Sequence, residues 1–255
     1  MLLFSNFSVE AIIATILVML LSMTVHEFSH AAMATYWGDD TPRAMGRLTL
    51  NPFVHINWIG FLMFVILGFG ILGSVPVNER RMRSPRWGSF WTSFAGPLSN
   101  LALALVFALI FRLIYEQRAF VVSYFFGGQV PNSVFANMLE QYLGIFLVAG
   151  VFWNLLLFFF NLLPFFPIDG WRMVLALLPG YWLTREQVPG VIRQSLPPIS
   201  QFLQQPAYKW AQWAQLSQFV LLILIMISFV APQLSVLGSL ISGPTFNLLS
   251  TLLIR

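Results

Sequence analysis

The chain contains no cysteine and few charged side chains. Without cysteine, a disulfide framework, a thiolate metal site and a cysteine nucleophile are all excluded. Charged residues make up 9% of the 255 residues, whereas soluble domains carry roughly 25%. A water-soluble globule of this size could not cover its surface with so few charges, so the composition excludes a soluble enzyme.

Apolar residues are abundant instead, at 58% of the chain, and they include 26 Phe and 9 Trp. Such aromatic content is typical of lipid-facing surfaces and of the belts at membrane interfaces. The net charge of +4 therefore informs about membrane topology and does not indicate a nucleic-acid partner.

Long charge-poor stretches predict an all-helical, polytopic integral membrane protein. Uninterrupted helices are predicted at 11–37, 88–115 and 141–163, each long enough to hold the ~20 apolar residues of a span. The C-terminal run predicts a span at 213–231 and a weaker apolar piece over 234–254, for which spanning and re-entry both stay open. Residues 170–212 predict a solvent-facing connection between these parts.

Two segments after the first helix do not read as simple spans. The run 56–75 contains four glycines, which suits a bent, re-entrant element as well as a membrane helix. Before it, residues 46–51 predict a short β-strand that is closed by a turn at Asn51-Pro52. Such a strand could pair with an unwound substrate by β-augmentation.

The first apolar helix holds the sequence His26-Glu27-Phe28-Ser29-His30. Positions i and i+4 lie one turn apart on one helix face, so both imidazoles can reach a single ion. Zinc suits two neutral histidines, and the adjacent Glu27 can take a proton from the water molecule that the metal activates. A pair of hydrogen-bonded histidines that lines a channel or helix contact explains neither the spacing nor the glutamate.

A catalytic zinc usually takes three protein ligands. Among the acidic candidates Asp169 stands out, because it follows the longest charge-free helix in a segment that Pro164 and Pro167 break. Unwound backbone at membrane depth is tolerated where it lines a cavity or site. From the residues alone, a third metal ligand and an interfacial cap are both open readings of Asp169.

These motifs together resemble the site-2 protease family of intramembrane zinc metalloproteases. The resemblance rests on His26-Glu27-x-x-His30 and on Asn161-x-x-Pro164-x-x-Pro167-x-Asp169-Gly170, and it extends to the stretches 46–55 and 94–100. It covers about residues 10–178. Two features differ from many family members: no stretch is large enough for a PDZ or CBS domain, and Trp171-Arg172 follows the Asp-Gly pair.

The resemblance implies a helical core with a short membrane-embedded β element after the first helix. It implies that His26, His30 and Asp169 bind one Zn²⁺, that Glu27 is the general base, and that the substrates are membrane-embedded proteins or peptides. We therefore expect a metalloprotease core over 1–178, followed over 179–255 by a cytosolic connection and C-terminal transmembrane segments.

Ligand geometry then predicts the topology. His26 and Asp169 lie near the C-terminal ends of their helices, so these helices must cross the membrane in the same direction to meet at one ion. Two apolar runs lie between them, so one cannot be a complete span, and the glycine-rich run 56–75 is the better candidate. Because the loop 76–86 is rich in arginine, the positive-inside rule places it, and the metal near it, at the cytosolic face of the cell membrane.

Four further features receive weaker predictions. Asn161 is either an oxyanion or substrate donor or part of an interhelical hydrogen bond. His55 either contacts substrate or carries a structural hydrogen bond, and we favour the structural bond. Asn100 with Gly96 and Pro97 is expected to serve helix packing, and the arginines of 80–86 are expected to meet anionic headgroups.

The sequence thus predicts an intramembrane zinc endopeptidase. The alternative is a metal transporter or channel that uses the same ligands, which would need further polar residues along 88–111 and 141–160. A zinc protease of the prenyl-protein-processing type would need a glutamate as third ligand. A catalytically inactive scaffold would not keep every catalytic residue.

Overall fold

The computed structural model describes residues 7–67, 73–129, 131, 134–177 and 207–254. Within these ranges the helices are α1 (Val9–Trp37), α2 (Thr41–Ala44), α3 (Pro52–His55), α4 (Trp58–Leu67), α5 (Pro85–Ile114), α6 (Arg118–Phe125), α7 (Met138–Asn161), α8 (Asp169–Leu177), α9 (Ala207–Val230) and α10 (Val236–Leu253). Short 3₁₀ helices occupy Glu79–Arg81 and Pro232–Leu234.

Four helices, α1, α5, α7 and α10, are long and apolar enough to cross a membrane. The chain is therefore a multi-pass membrane protein, and the predicted helices 11–37, 88–115 and 141–163 are confirmed. The described apolar part of α9, Gln212–Ser228, is shorter than a span, so the span at 213–231 stays a prediction. Most of the predicted connection 170–212 lies outside the described residues.

Local sequence fixes both ends of α1. The Ser8 hydroxyl oxygen accepts a hydrogen bond from the Ala11 amide and caps the first turn. At the other end, Gly38 has φ of 107° and its N–H bonds the carbonyls of the last turn. Glycine tolerates this left-handed conformation, so the helix ends there, one residue before the buried Asp39.

Helices α1, α5 and α7 form the core, and their side-chain pairs define their directions. Tyr115, just after α5, bonds Glu140 near the start of α7, and Asn100 of α5 bonds Asn154 of α7, so α5 and α7 are antiparallel. His26 bonds Asn100 of α5 and His30 bonds Thr92, so numbers run in opposite senses and α5 is antiparallel to α1 as well. The predicted common direction of α1 and α7 is confirmed.

The strand predicted at 46–51 is wrong, whereas the substrate pairing suggested there stays a prediction. The part of the chain with described coordinates contains no strand, and residues 46–51 form turns and bends. Local hydrogen bonds use the backbone instead: the Arg47 amide bonds the Pro42 carbonyl, and the Asn51 side chain caps α3. Gly46 adopts a positive φ of 67°, which turns the chain away from an extended path.

The glycine-rich run 56–75 folds back on itself. Its first part is the ten-residue α4, and Ile56 forms an isolated antiparallel bridge with Gly73. Ile56 and Gly73, near the two ends of the run, are therefore neighbours, as a hairpin requires. Re-entry into the membrane stays a prediction. The membrane face toward which the two ends lie stays a prediction too.

Candidate metal centre

His26 and His30 lie one turn apart on α1 and face α5 and α8. Both side chains are almost completely buried, with His26 3% and His30 7% exposed, and Glu27 between them is 4% exposed. Since charged and polar groups inside a membrane helix are costly, this cluster is the candidate functional site.

Asp169 reaches the histidines because the chain unwinds after α7. Helix α7 ends at Asn161, and α8 begins at Asp169 itself. At Gly170 a Cβ atom would lie 2.3 Å from the Leu163 carbonyl oxygen. Only glycine allows so close an approach, so Gly170 lets α8 start directly against the end of α7 and places Asp169 beside α1.

The three side chains converge on one point. Nε2 of His26 lies 3.0 Å from Nε2 of His30, and the Asp169 Oδ2 atom lies 3.2 Å from the first and 3.3 Å from the second. Tetrahedral ligands about 2.0–2.1 Å from a zinc ion are about 3.3 Å from one another. The spacing of these three atoms therefore fits the ligand shell of a single ion.

Hydrogen bonds on the far side of each ring define which nitrogens are free. Nδ1 of His26 lies 2.6 Å from the Asn100 Oδ1 atom, and Nδ1 of His30 lies 2.6 Å from the Thr92 carbonyl oxygen. Both partners are acceptors, so each neutral ring carries its proton on Nδ1 and presents a bare lone pair at Nε2.

The donor set consequently fits a divalent cation. Two lone pairs and a carboxylate oxygen face one another at 3.0–3.3 Å. Oδ2 of Asp169 is buried without a hydrogen-bond partner. Because a buried cluster of electron-rich atoms is unfavourable by itself, a metal ion would satisfy all three groups at once. Two imidazoles with one carboxylate are a ligand set that zinc favours.

Glu27 lies beside Gly73, near the C-terminal end of the run 56–75. A Cβ atom at Gly73 would be 3.0 Å from Glu27 Oε1 and 2.9 Å from the His55 carbonyl oxygen. The Oε2 atom of Glu27 is buried without a hydrogen-bond partner. The carboxylate therefore keeps one oxygen available for a ligand or a proton.

Gly96 of α5 closes the other side of the cluster. A Cβ atom there would lie 2.4 Å from Nε2 of His30 and 2.6 Å from Nε2 of His26. The α5 backbone thus packs directly against the edge of both imidazoles at which the metal would bind.

Comparison with known proteins shows the family to which the chain belongs. Residues 14–190 match the model of Peptidase family M50. The chain belongs to this family of zinc metalloproteases. It is 36% identical to the Bacillus subtilis protein named "Putative zinc metalloprotease YwhC" over 164 residues, which cover 64% of this chain and 68% of that relative. It is 26% identical to "Putative zinc metalloprotease Rip2" of Mycolicibacterium smegmatis over 75% of this chain and 60% of the relative. No solved structure matches the chain.

The remaining predicted residues take different places in this M50 chain. His55 is buried and its Nε2–H donates to the Thr49 carbonyl oxygen at 2.6 Å, which confirms the structural hydrogen bond. The Asn161 amide donates to the Leu157 carbonyl of its own helix at 2.9 Å. Its role toward substrate stays a prediction.

Three residues near the site make contacts that the sequence did not predict. Asn100, interpreted as helix packing, contacts a histidine of the site directly, and Asn154 supports it. The sequence did contain a signal for both asparagines. An amide side chain is costly inside a membrane span, so each of them predicts a polar partner on a neighbouring helix. Arg86, assigned to headgroups, bonds the carbonyls of Ala176 and Leu177 at the end of α8.

Proposed function

We propose that this M50 chain is an intramembrane zinc endopeptidase in which His26, His30 and Asp169 hold one Zn²⁺ and Glu27 is the general base. The observation that carries the proposal is the convergence of two bare imidazole nitrogens and a carboxylate oxygen beside a buried glutamate whose Oε2 atom has no hydrogen-bond partner. Zinc bound there would supply a Lewis acid that polarises the scissile carbonyl and makes a water molecule acidic.

Glu27 moves the proton in this scheme. Its free Oε2 accepts the proton of the attacking water and then donates it to the leaving amine. Burial of the carboxylate keeps bulk water from competing for that position. The substrate segment must be unwound at the scissile bond, because the carbonyls of a helix are already hydrogen-bonded.

Asn161 is proposed as a donor to the substrate or its oxyanion. Among the described residues, its amide group makes one hydrogen bond, to the Leu157 carbonyl oxygen, and this bond uses one of the two amide hydrogens. The second hydrogen can stabilise negative charge that develops on the carbonyl oxygen. We assign the core to residues 1–178 and the connection with its C-terminal transmembrane part to 179–255.

The proposed site lies near the cytosolic face. The arginine-rich segment packs at the same end of the bundle as the metal centre, since the Arg83 amide bonds the Trp37 carbonyl at the end of α1. Arg86 bonds the end of α8, which starts at Asp169. Because positive loops stay in the cytosol, these contacts support a cytosolic orientation of this end.

The test separates metal binding from cleavage. Glu27→Gln keeps all three ligands, so we expect about one zinc per chain, as in the wild type, but no proteolysis. Asp169→Ala should lose both, and Asp40→Asn, a change at an exposed carboxylate, should lose neither.

The cleavage readout is the set of new N-termini inside membrane-protein spans, compared between native membranes that contain the wild type or Glu27→Gln. Termini that depend on Glu27 support the protease. Identical sets, with zinc bound in both proteins, would contradict it. Zinc uptake into sealed vesicles that is equal for wild type and Glu27→Gln would then favour a transporter.

A further inference from the structure

A chain of buried side-chain hydrogen bonds connects α7 to the metal centre through α5. The Asn154 Nδ2 atom donates to the Gly150 carbonyl oxygen and to the Ser22 hydroxyl, each at 2.8 Å. Asn154 Oδ1 accepts from Asn100 Nδ2 at 3.0 Å, and Asn100 Oδ1 faces His26 Nδ1 at 2.6 Å. We call Asn154, Asn100 and the two bonds between them and His26 the amide relay.

The polarity of this relay is fixed at its far end. A backbone carbonyl can only accept, so the Gly150 oxygen forces the nitrogen of Asn154 toward itself and the oxygen toward Asn100. The Asn100 nitrogen must then face Asn154, and its oxygen must face His26. His26 is left with one arrangement, in which Nδ1 donates and Nε2 carries a lone pair.

The opposite arrangement would abolish ligation. If the Asn100 amide turned over, its NH₂ group would face Nδ1, the ring would hold its proton on Nε2, and no lone pair would point at Asp169 and His30. His30 needs no such device, because its Nδ1 meets a backbone carbonyl directly. The two ligands of the motif are therefore oriented by different means.

The relay and Ser22, which bonds it, lie entirely in the buried interior. Ser22, Asn100 and Asn154 are each 0% exposed, and none of their polar atoms is without a partner. Every amide oxygen and nitrogen of the relay has a partner. A turned amide would set donor against donor or acceptor against acceptor in hydrocarbon surroundings, so the observed arrangement is the favoured one.

We propose that Asn100 and Asn154 are positioning residues that fix the tautomer and orientation of His26 for metal binding. The inference rests on the proposed metal site and adds to it two residues that never touch the ion. Partners of this kind on metal-ligating histidines typically contribute 10–100-fold in metal affinity.

The experiment measures zinc affinity of the purified full chain in detergent by competition with a chromophoric chelator. Asn100→Leu removes the acceptor for Nδ1–H and keeps the number and branching of the side-chain heavy atoms, and we expect zinc to bind about 10–100-fold more weakly. Asn100→Asp keeps an acceptor for Nδ1–H, and in its protonated form its second oxygen can donate to Asn154 Oδ1. This variant should bind zinc within a few-fold of the wild type.

A second variant guards against misfolding of the first. Asn154→Leu leaves Asn100 and His26 unchanged but frees the Asn100 amide to turn, so we expect on the order of a tenfold loss. The matched control is Thr15→Val. It removes the buried hydrogen bond to Trp153, which joins α1 to α7 as the bond between Ser22 and Asn154 does. It should lower the thermal midpoint as the relay variants do, yet leave zinc affinity unchanged.

The outcomes separate the two proposals. If the wild type binds no zinc, the proposed function fails and the relay with it. If the wild type binds zinc and both leucine variants match it within twofold, the relay does not position His26. An equal loss in Thr15→Val, or no recovery in Asn100→Asp, would make the effect one of helix packing and would also overturn the inference.

Discussion

Gly96→Ala should disable the metal centre by adding a single methyl group. The new Cβ atom would stand 2.4 Å from Nε2 of His30 and 2.6 Å from Nε2 of His26. These separations are about 1 Å below the ~3.5 Å at which non-bonded carbon contacts become favourable. The clash cannot be relieved easily. The α5 backbone at Gly96 is part of a helix, and the two buried imidazole rings are held by hydrogen bonds at Nδ1.

The size of the effect follows from the cost of overpacking. Forcing an extra methyl into a filled site typically costs about 1–3 kcal/mol. If relief comes from swinging the imidazoles, the cost appears in metal binding, and at about 1.4 kcal/mol per decade it corresponds to roughly 5- to 150-fold. Because both histidine ligands are displaced together, we expect a result near the upper end.

The assay is the zinc dissociation constant of the full chain, with peptide-bond cleavage as a second readout. Gly243→Ala is the matched control: it makes the same change within the membrane helix α10, where no atom lies within 4 Å of the new Cβ. It should bind zinc like the wild type. Wild-type affinity in Gly96→Ala would refute the close packing of α5 against the ligands.

Two further predictions concern the run 56–75. Gly73→Ala brings a methyl group to 3.0 Å from Glu27 Oε1 and 2.9 Å from the His55 carbonyl oxygen. The zinc content should therefore persist while kcat falls at least tenfold. Equal losses of zinc and of kcat would show that Gly73 supports the metal rather than the base. Single cysteines at Asn57 and Ser74, both exposed, should react with an impermeant thiol reagent from the cytosolic side only, which is measurable because the chain has no native cysteine; reaction from opposite faces would mean that 56–75 spans the membrane.

The sequence predicts the parts of this fold that depend on composition and local spacing. Charge-poor stretches predict the positions of α1, α5 and α7, because a charged side chain is costly in the hydrocarbon region of a membrane. The spacing of His26 and His30 places both rings on one face. Their convergence with Asp169 then requires α1 and α7 to be parallel, which predicts the hairpin that the Ile56–Gly73 bridge shows.

Features that depend on tertiary partners could not be predicted. Leu48-Thr49-Leu50 alternates as a strand does, yet Gly46 and Asn51 supply turn and capping bonds that compete with strand pairing, and no neighbouring strand among the described residues offers a ladder. Asn100 and Asn154 are more than fifty positions apart, so only the packing of α5 on α7 reveals that they share a hydrogen bond.

The start of α8 at Asp169 has a consequence for biosynthesis. Membrane proteins are made from the N-terminus, so α1, α5 and α7 leave the ribosome before Asp169 does. At that stage the three helices already contain every residue of the amide relay, whereas the cluster has two of its three metal-binding side chains. On the proposed function, the relay would orient the ring of His26 before the third zinc ligand is made. The complete zinc site would then form only when α8 docks, and cleavage would begin only in the assembled bundle.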